Sequence, residues 1–229
     1  MTYRRRAAGA DDHRLGGDVF AGVVGAGSGP PESGVGRWPQ AVSAVTVGCR
    51  RDRYGGLALT GSASVLSLSA NELQASLPSG ALLKRQSKES ILSDYIDKGL
   101  FGSFQDPERM DFEYVVSGAD KISGAVEWFT QTVATPVEDW FEGRNSLDKL
   151  IELARTPTSS GTGNINPRLF RGTVALCLVN NRFRDAALLM DWYIERGKFN
   201  FLDSMERARC FAAALESRFP EYAEAWRRS

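Results

Sequence analysis

Ser43-Ala44-Val45-Thr46-Val47-Gly48-Cys49 alternates along its length and is rich in β-branched residues. That is the pattern of a strand, because successive side chains on extended backbone point to opposite faces. On its C-terminal side, Leu57-Ala58-Leu59 and Ser64-Val65-Leu66-Ser67 flank Thr60-Gly61, which predicts a hairpin. Further on, Met110-Asp111-Phe112-Glu113-Tyr114-Val115-Val116 alternates apolar with polar. It reads as a half-exposed strand with Met110, Phe112, Tyr114 and Val116 on its apolar face. The expected sheet therefore comes from residues 43–67 and 110–117.

Most of the remaining chain has helical spacing. Ser69-Ala70-Asn71-Glu72 has capping-box form and opens a short helix that ends before Pro78. Residues 87–98 place Ile91, Leu92, Tyr95 and Ile96 on one stripe, with Gly99 past the end. Residues 123–134 form a helix with Val126, Phe129 and Val133 facing inward. Thr135-Pro136-Val137-Glu138 then supplies an N-cap, a proline at the first helical position and an acid two residues later, so a new helix runs from 137 to 142 and stops at Gly143. Residues 146–155 turn Leu147, Leu150, Ile151 and Ala154 to one side, and 156–166 is a polar linker. Helices follow at 168–180, 184–197 and 203–219, with a last turn after Pro220. In the longest, Met205, Ala208, Ala212, Leu215 and Phe219 form the buried stripe, capped at Asp203-Ser204-Met205-Glu206. The fold class is α+β: a small antiparallel sheet packed on helices, with an all-helical C-terminal half.

The 229 residues, 42% of them hydrophobic, suffice for one domain with a loose tail. Residues 1–38 are rich in Gly, Ala and Arg and lack sustained periodicity, so they are expected to be disordered or weakly ordered. Residues 39–229 are expected to form a single domain, with a sheet-containing part at 39–122 and a helical part at 123–229. Arg4-Arg5-Arg6 is followed by Asp11, Asp12 and Arg14 rather than by an apolar stretch, which is not the pattern of an export signal. No apolar run is long enough to span a bilayer. A cytoplasmic location and no membrane partner are the expectations.

Charge and residue types narrow the chemistry. The net charge is zero, which argues against a dedicated nucleic-acid binder. Residues 61–149 carry fourteen acids against eight Lys and Arg, an acidic middle suited to a cationic partner. His13 is the sole histidine, so triad and multi-histidine zinc chemistry lack material. Cys49, Cys177 and Cys210 form no C-x-x-C pair and fit a reducing compartment; Cys177 and Cys210 are expected to be buried. Val23-Val24-Gly25-Ala26-Gly27-Ser28-Gly29-Pro30-Pro31 opens like a dinucleotide fingerprint, but the double proline opposes the required helix. Ser159-Ser160-Gly161-Thr162-Gly163-Asn164 lacks the Gly-Lys-Ser/Thr ending of a phosphate loop. No cofactor is implied.

Carboxylates leave one catalytic alternative. Asp111 and Glu113 share a strand face, and Glu138, Asp139 and Glu142 share a short helix. Joined by a third oxygen ligand, either set would hold a hard cation for metal-assisted hydrolysis or nuclease chemistry. Arg168, Arg171, Arg182 and Arg184 gather at one helical corner beside Phe183, a weaker pointer to nucleic acid. Aromatics crowd the helical half, from Trp128 and Trp140 through Trp192, Phe199 and Phe201 to Trp226, and most are expected in the core. Adjacent pairs such as Trp192-Tyr193 point about 100° apart on a helix, which leaves one member for a rim.

Asn181-Arg182-Phe183-Arg184-Asp185-Ala186 resembles the turn of a tetratricopeptide-type helical hairpin: Asn181, Phe183 and Ala186 match the small, aromatic and alanine positions. Val174 and Lys198 stand where that family usually has glycine and proline, and no second copy follows at the repeat period. The resemblance covers roughly 170–198 and implies one such hairpin inside a larger fold. The general plan, a small sheet followed by helices, resembles bacterial immunity- or antitoxin-type proteins. The expected function is non-enzymatic binding of another protein, with Glu138, Trp140, Glu142, Arg184 and Trp192 as contact candidates.

Overall fold

The computed structural model describes residues 19–22, 41–51, 54–105, 113–158 and 163–228. They gather into two compact units that share the chain in alternating segments. The first takes the described residues of Met1–Pro30, Val42–Ser64 and Lys98–Gly143; the second takes those of Pro31–Ala41, Val65–Asp97 and Arg144–Ser229. The class is α+β, as the strand and helix periods foretell.

The first unit is built on a sheet with strands β1 (Val19–Gly22), β2 (Val42–Arg51), β3 (Leu57–Leu66), β4 (Asp97–Leu100) and β5 (Tyr114–Val116). The order is β1-β2-β3-β4, and β5 also pairs with β3. β1 lies antiparallel to β2, with Val19 opposite Gly48, so four residues of the expected weakly ordered tail are sheet. The rest of 1–38, the Gly25-to-Pro31 motif included, lies outside the described residues, as do Met110, Asp111 and Phe112. β5 is antiparallel to β3, with Leu59 opposite Tyr114.

β3 corrects the expected hairpin. Thr60-Gly61 is mid-strand, and the chain runs straight through it. The reason is steric: a Cβ on Gly61 would run into the Phe101 ring, so this glycine serves close approach rather than a turn. Phe101 belongs to α3 (Phe101–Gln105), which packs over this face together with α4 (Ile122–Thr132) and α5 (Glu138–Glu142). Ala63, Phe101, Trp128 and Val137 form the buried centre, ringed by Val45, Val47, Leu59, Tyr114, Phe129 and Trp140.

α4 is rotated from its expected setting. Ala125, Trp128 and Thr132 are buried, whereas Val126 is 61% exposed. The larger ring takes the inner position because it removes more apolar surface from water. Thr135 does not cap a new helix either. α4 widens into a π-helical turn at Val133–Val137 and continues into α5, with Pro136 inside the turn. Proline has no N–H to donate to the preceding turn, and the wider turn accommodates that loss.

The second unit is helical. α1 (Leu68–Ala75) is capped by Ser67, two residues before the expected capping box. α2 (Lys88–Leu92) is shorter than expected, because Asp94 breaks it. The Asp94 carboxylate accepts the Tyr95 N–H, the Gln86 amide and the Arg168 guanidinium, and its carbonyl accepts from Asn71. These bonds replace the helical ladder. The chain then extends, and the Ile96 N–H reaches the Val65 carbonyl. Asp97 is buried and ion-paired with Arg144 at 2.6 Å.

α6 (Leu147–Arg155), α7 (Pro167–Val179), α8 (Phe183–Arg196), α9 (Met205–Arg218) and α10 (Pro220–Arg227) follow at their expected places. Ser146, Asn166 and Ser204 cap α6, α7 and α9 by accepting backbone N–H groups. α7 is buried from Leu169 through Leu178 and forms the axis of the unit's core. The α7–α8 turn places Asn181 at φ 59°, a left-handed conformation that asparagine tolerates better than most residues.

Candidate functional site

The residues expected to carry function are dispersed. In the first unit, Glu138, Asp139 and Glu142 are exposed on α5. Trp140 is half-buried, its ring edge-on to Phe104 at 6.2 Å and to Phe141 at 5.2 Å. Glu113 pairs with Arg50 at 2.6 Å, while its expected companion Asp111 lies outside the described residues. Among the described residues no group of three or more His, Cys, Asp or Glu is placed to hold a metal ion.

In the second unit, the basic corner is largely neutralised. Arg168 pairs with Asp94, Arg171 with Asp203, and Arg182 with both Asp148 and Asp185. Arg184 stays exposed beside Leu188, facing Glu221 and Glu224 of α10 across a shallow groove. Trp192 is half-buried and stacks on Phe170 at 6.4 Å. Cys177 is buried, and burial pushes its thiol up to about 12, which makes it an inert core residue. Cys210 is exposed, a correction: it lies on the outer face of α9, next to inward-facing Phe211. No helix among the described residues is long and apolar enough to cross a membrane.

The feature that residue types alone did not isolate is the loop joining α8 to α9, residues 197–204. Asn200 makes a tight turn: its side chain accepts the Leu202 N–H and its carbonyl accepts the Asp203 N–H. The turn separates two aromatics. Phe199 folds inward, edge-on to Tyr193 at 4.9 Å, and Phe201 is left 71% exposed. The Asn between two Phe residues was the signal in the sequence, since a turn residue there sends its neighbours to different surroundings.

The loop is anchored from below. Asp203 is buried and accepts both Nε and Nη2 of Arg171, at 2.9 and 2.6 Å, together with the Tyr193 hydroxyl at 3.1 Å. Arg171 also donates to the Ala81 carbonyl and lies 4.7 Å from the centre of the Phe211 ring. Burial lowers the Arg171 pKa from its ordinary value, opposed by the Asp203 charge; burial also raises that of Tyr193. Arginine nonetheless stays charged in proteins, so the pair is ionic. On the other flank, the Lys84 N–H donates to the Leu202 carbonyl at 2.9 Å, and the Ile165 N–H donates to that of Lys198. Arg207 donates to the Leu82 carbonyl at 2.8 Å.

Phe201 is thus an aromatic side chain held out on a loop whose backbone is fixed at both ends and in the middle. Comparison with known protein families, curated proteins and solved structures finds no match to the chain.

Proposed function

We propose that the chain works by binding another protein, with Phe201 as an anchor residue. The observation that supports this reading is the combination of 71% exposure with a pre-ordered loop. An isolated exposed apolar residue is ordinary, but a large ring on a fixed backbone brings contact area at small ordering cost. Aromatic anchors of this kind dominate the energetics of interfaces. Glu138 and Glu142 on α5 and Arg184 on α8 are exposed and stand as candidate polar contacts. The cytosol is the setting proposed for this activity, because Cys49, Cys177 and Cys210 are all free thiols and Cys210 is exposed.

The test is paired capture from native lysate by the full chain and by Phe201→Ala, with thermal melts of both. The expected result is a stoichiometric protein retained by the native chain and lost by the variant, at unchanged melting temperature. Identical capture by the two chains would overturn the reading.

A further inference from the structure

We infer that the partner of the Phe201 loop presents an acidic segment bearing an apolar residue, an inference that rests on the protein-binding reading above. The charges around the loop carry it. Lys198 opens the loop, Arg196 ends the helix before it, and Lys84 is tied to Leu202 by a backbone hydrogen bond with Arg85 next in sequence; all four are exposed. Among the described residues, the exposed acids along the same stretches are Glu195 and Glu206, with Glu89 beyond Arg85 beside exposed Lys88. The loop's own acid, Asp203, is buried and neutralised by Arg171. The surface around Phe201 therefore has a cationic excess, although the chain as a whole is neutral.

The turn bearing Arg85 adds an independent observation. Arg85 has φ 69°, in the left-handed region that bulky residues rarely adopt. The turn is closed around it, with the Gln86 N–H donating to the Leu83 carbonyl and the Gln86 side chain accepting the Leu83 N–H. Strain of this sort persists only where the surroundings over-determine it. Here the same bonds fix Lys84 and Arg85 beside the loop. An apolar residue with exposed cations on the neighbouring stretches of chain complements a segment of opposite charge with its own apolar side chain. In such contacts the ring sets residence time, and the rim charges set the association rate and its salt dependence.

The experiment measures binding of three fluorescent peptides of equal length to the full chain, at low and moderate salt. One alternates Glu and Asp with Leu, one Lys with Leu, and one Gln with Leu. Phosphatidylserine vesicles form a fourth probe. Phe201→Ala, the pair Lys84→Glu/Arg85→Glu, and the control Lys121→Glu, which lies in the other unit, are compared, each checked by thermal melt. The expected result is binding of the acidic peptide that weakens with salt, falls about tenfold in each loop variant and is unchanged in the control. Equal binding of all three peptides, or acidic binding indifferent to Lys84→Glu/Arg85→Glu, would overturn the inference. So would vesicle binding without acidic-peptide binding, which would assign the surface to lipid. If lysate capture still depends on Phe201 while charge reversal changes nothing, the acidic partner alone falls. If Phe201→Ala is silent in both assays, the protein-binding reading falls with it.

Discussion

Asp203 receives the Arg171 guanidinium on both carboxylate oxygens while each side chain is at most 2% exposed. Taking two charges out of water is costly, and only complete pairing offsets it. Losing one partner leaves the other stranded. Asp203→Ala is expected to lose about 3–5 kcal/mol in urea unfolding, with the double change Arg171→Met/Asp203→Leu recovering a large part of that loss. If Asp203→Ala is nearly neutral, the pair does not hold the loop.

Tyr222 makes the opposite case. Its ring is fully buried and its hydroxyl has no hydrogen-bond partner among the described residues. A stranded hydroxyl is a penalty of about 1–3 kcal/mol. Tyr222→Phe should therefore leave stability unchanged or raise it by about 1 kcal/mol, as read by chemical unfolding. A clear loss of stability would reveal a bond from that oxygen.

Gly61 separates a continuous strand from a hairpin. In a hairpin turn, alanine at this position would meet solvent. Against the Phe101 ring it forces repacking, and Gly61→Ala is expected to destabilise by about 1–3 kcal/mol. Circular dichroism melts of the two chains decide the matter.

The register of α4 is tested by a contrast. Trp128→Ala empties a core position and should remove about 3–5 kcal/mol, whereas Val126→Ser, on the open face, should stay within about 0.5 kcal/mol. Interchanged effects would restore the stripe that spacing alone suggests.

Alkaline pH should weaken the second unit through Cys177. Its folded pKa, about 12, lies above an ordinary value of 9.0. The native state therefore keeps a proton that the unfolded chain gives up. The stabilisation is full below about 9 and is lost as pH rises through 12. Within that window stability falls by up to about 1.4 kcal/mol per pH unit, in addition to any contribution from Tyr193 and Tyr222, whose pKa values burial also raises. Cys177→Ala should flatten the dependence of unfolding free energy on pH just above 9, whatever it does to the absolute value.

Local signals were legible wherever a helix carries its own cap and stripe. Ser146 marks the start of α6, the box read from Asp203 falls one residue ahead of the Ser204 cap of α9, and the apolar periods of both helices point to the observed core, whereas the Asn166 cap of α7 falls in the stretch that reads as polar linker. The misreadings share a cause: the deciding partner is distant in sequence. Gly61 resembles a turn until Phe101 is placed over it. Residues 93–98 resemble helix until Arg168 and Asn71 capture Asp94. Val126 and Trp128 compete for one inward direction, and only the shape of the sheet-facing core chooses between them. For the candidate site, Phe201 was visible as an aromatic among many, but its exposure depends on Asn200 and on a salt bridge to α7.

The alternation of the two units along the chain bears on how the polypeptide is made. Residues 65–97 belong to the second unit together with Arg144–Ser229, which follow only after a long stretch of the first. During synthesis α1 and α2 emerge with Leu73, Leu77, Ile91 and Ile96 uncovered, and wait until α7 leaves the ribosome. Such long-range closure slows folding and lengthens the exposure of sticky surface to chaperones and proteases. It also means that no single cut yields both units whole: a chain ended after Gly143 keeps these helices without the axis they fold around.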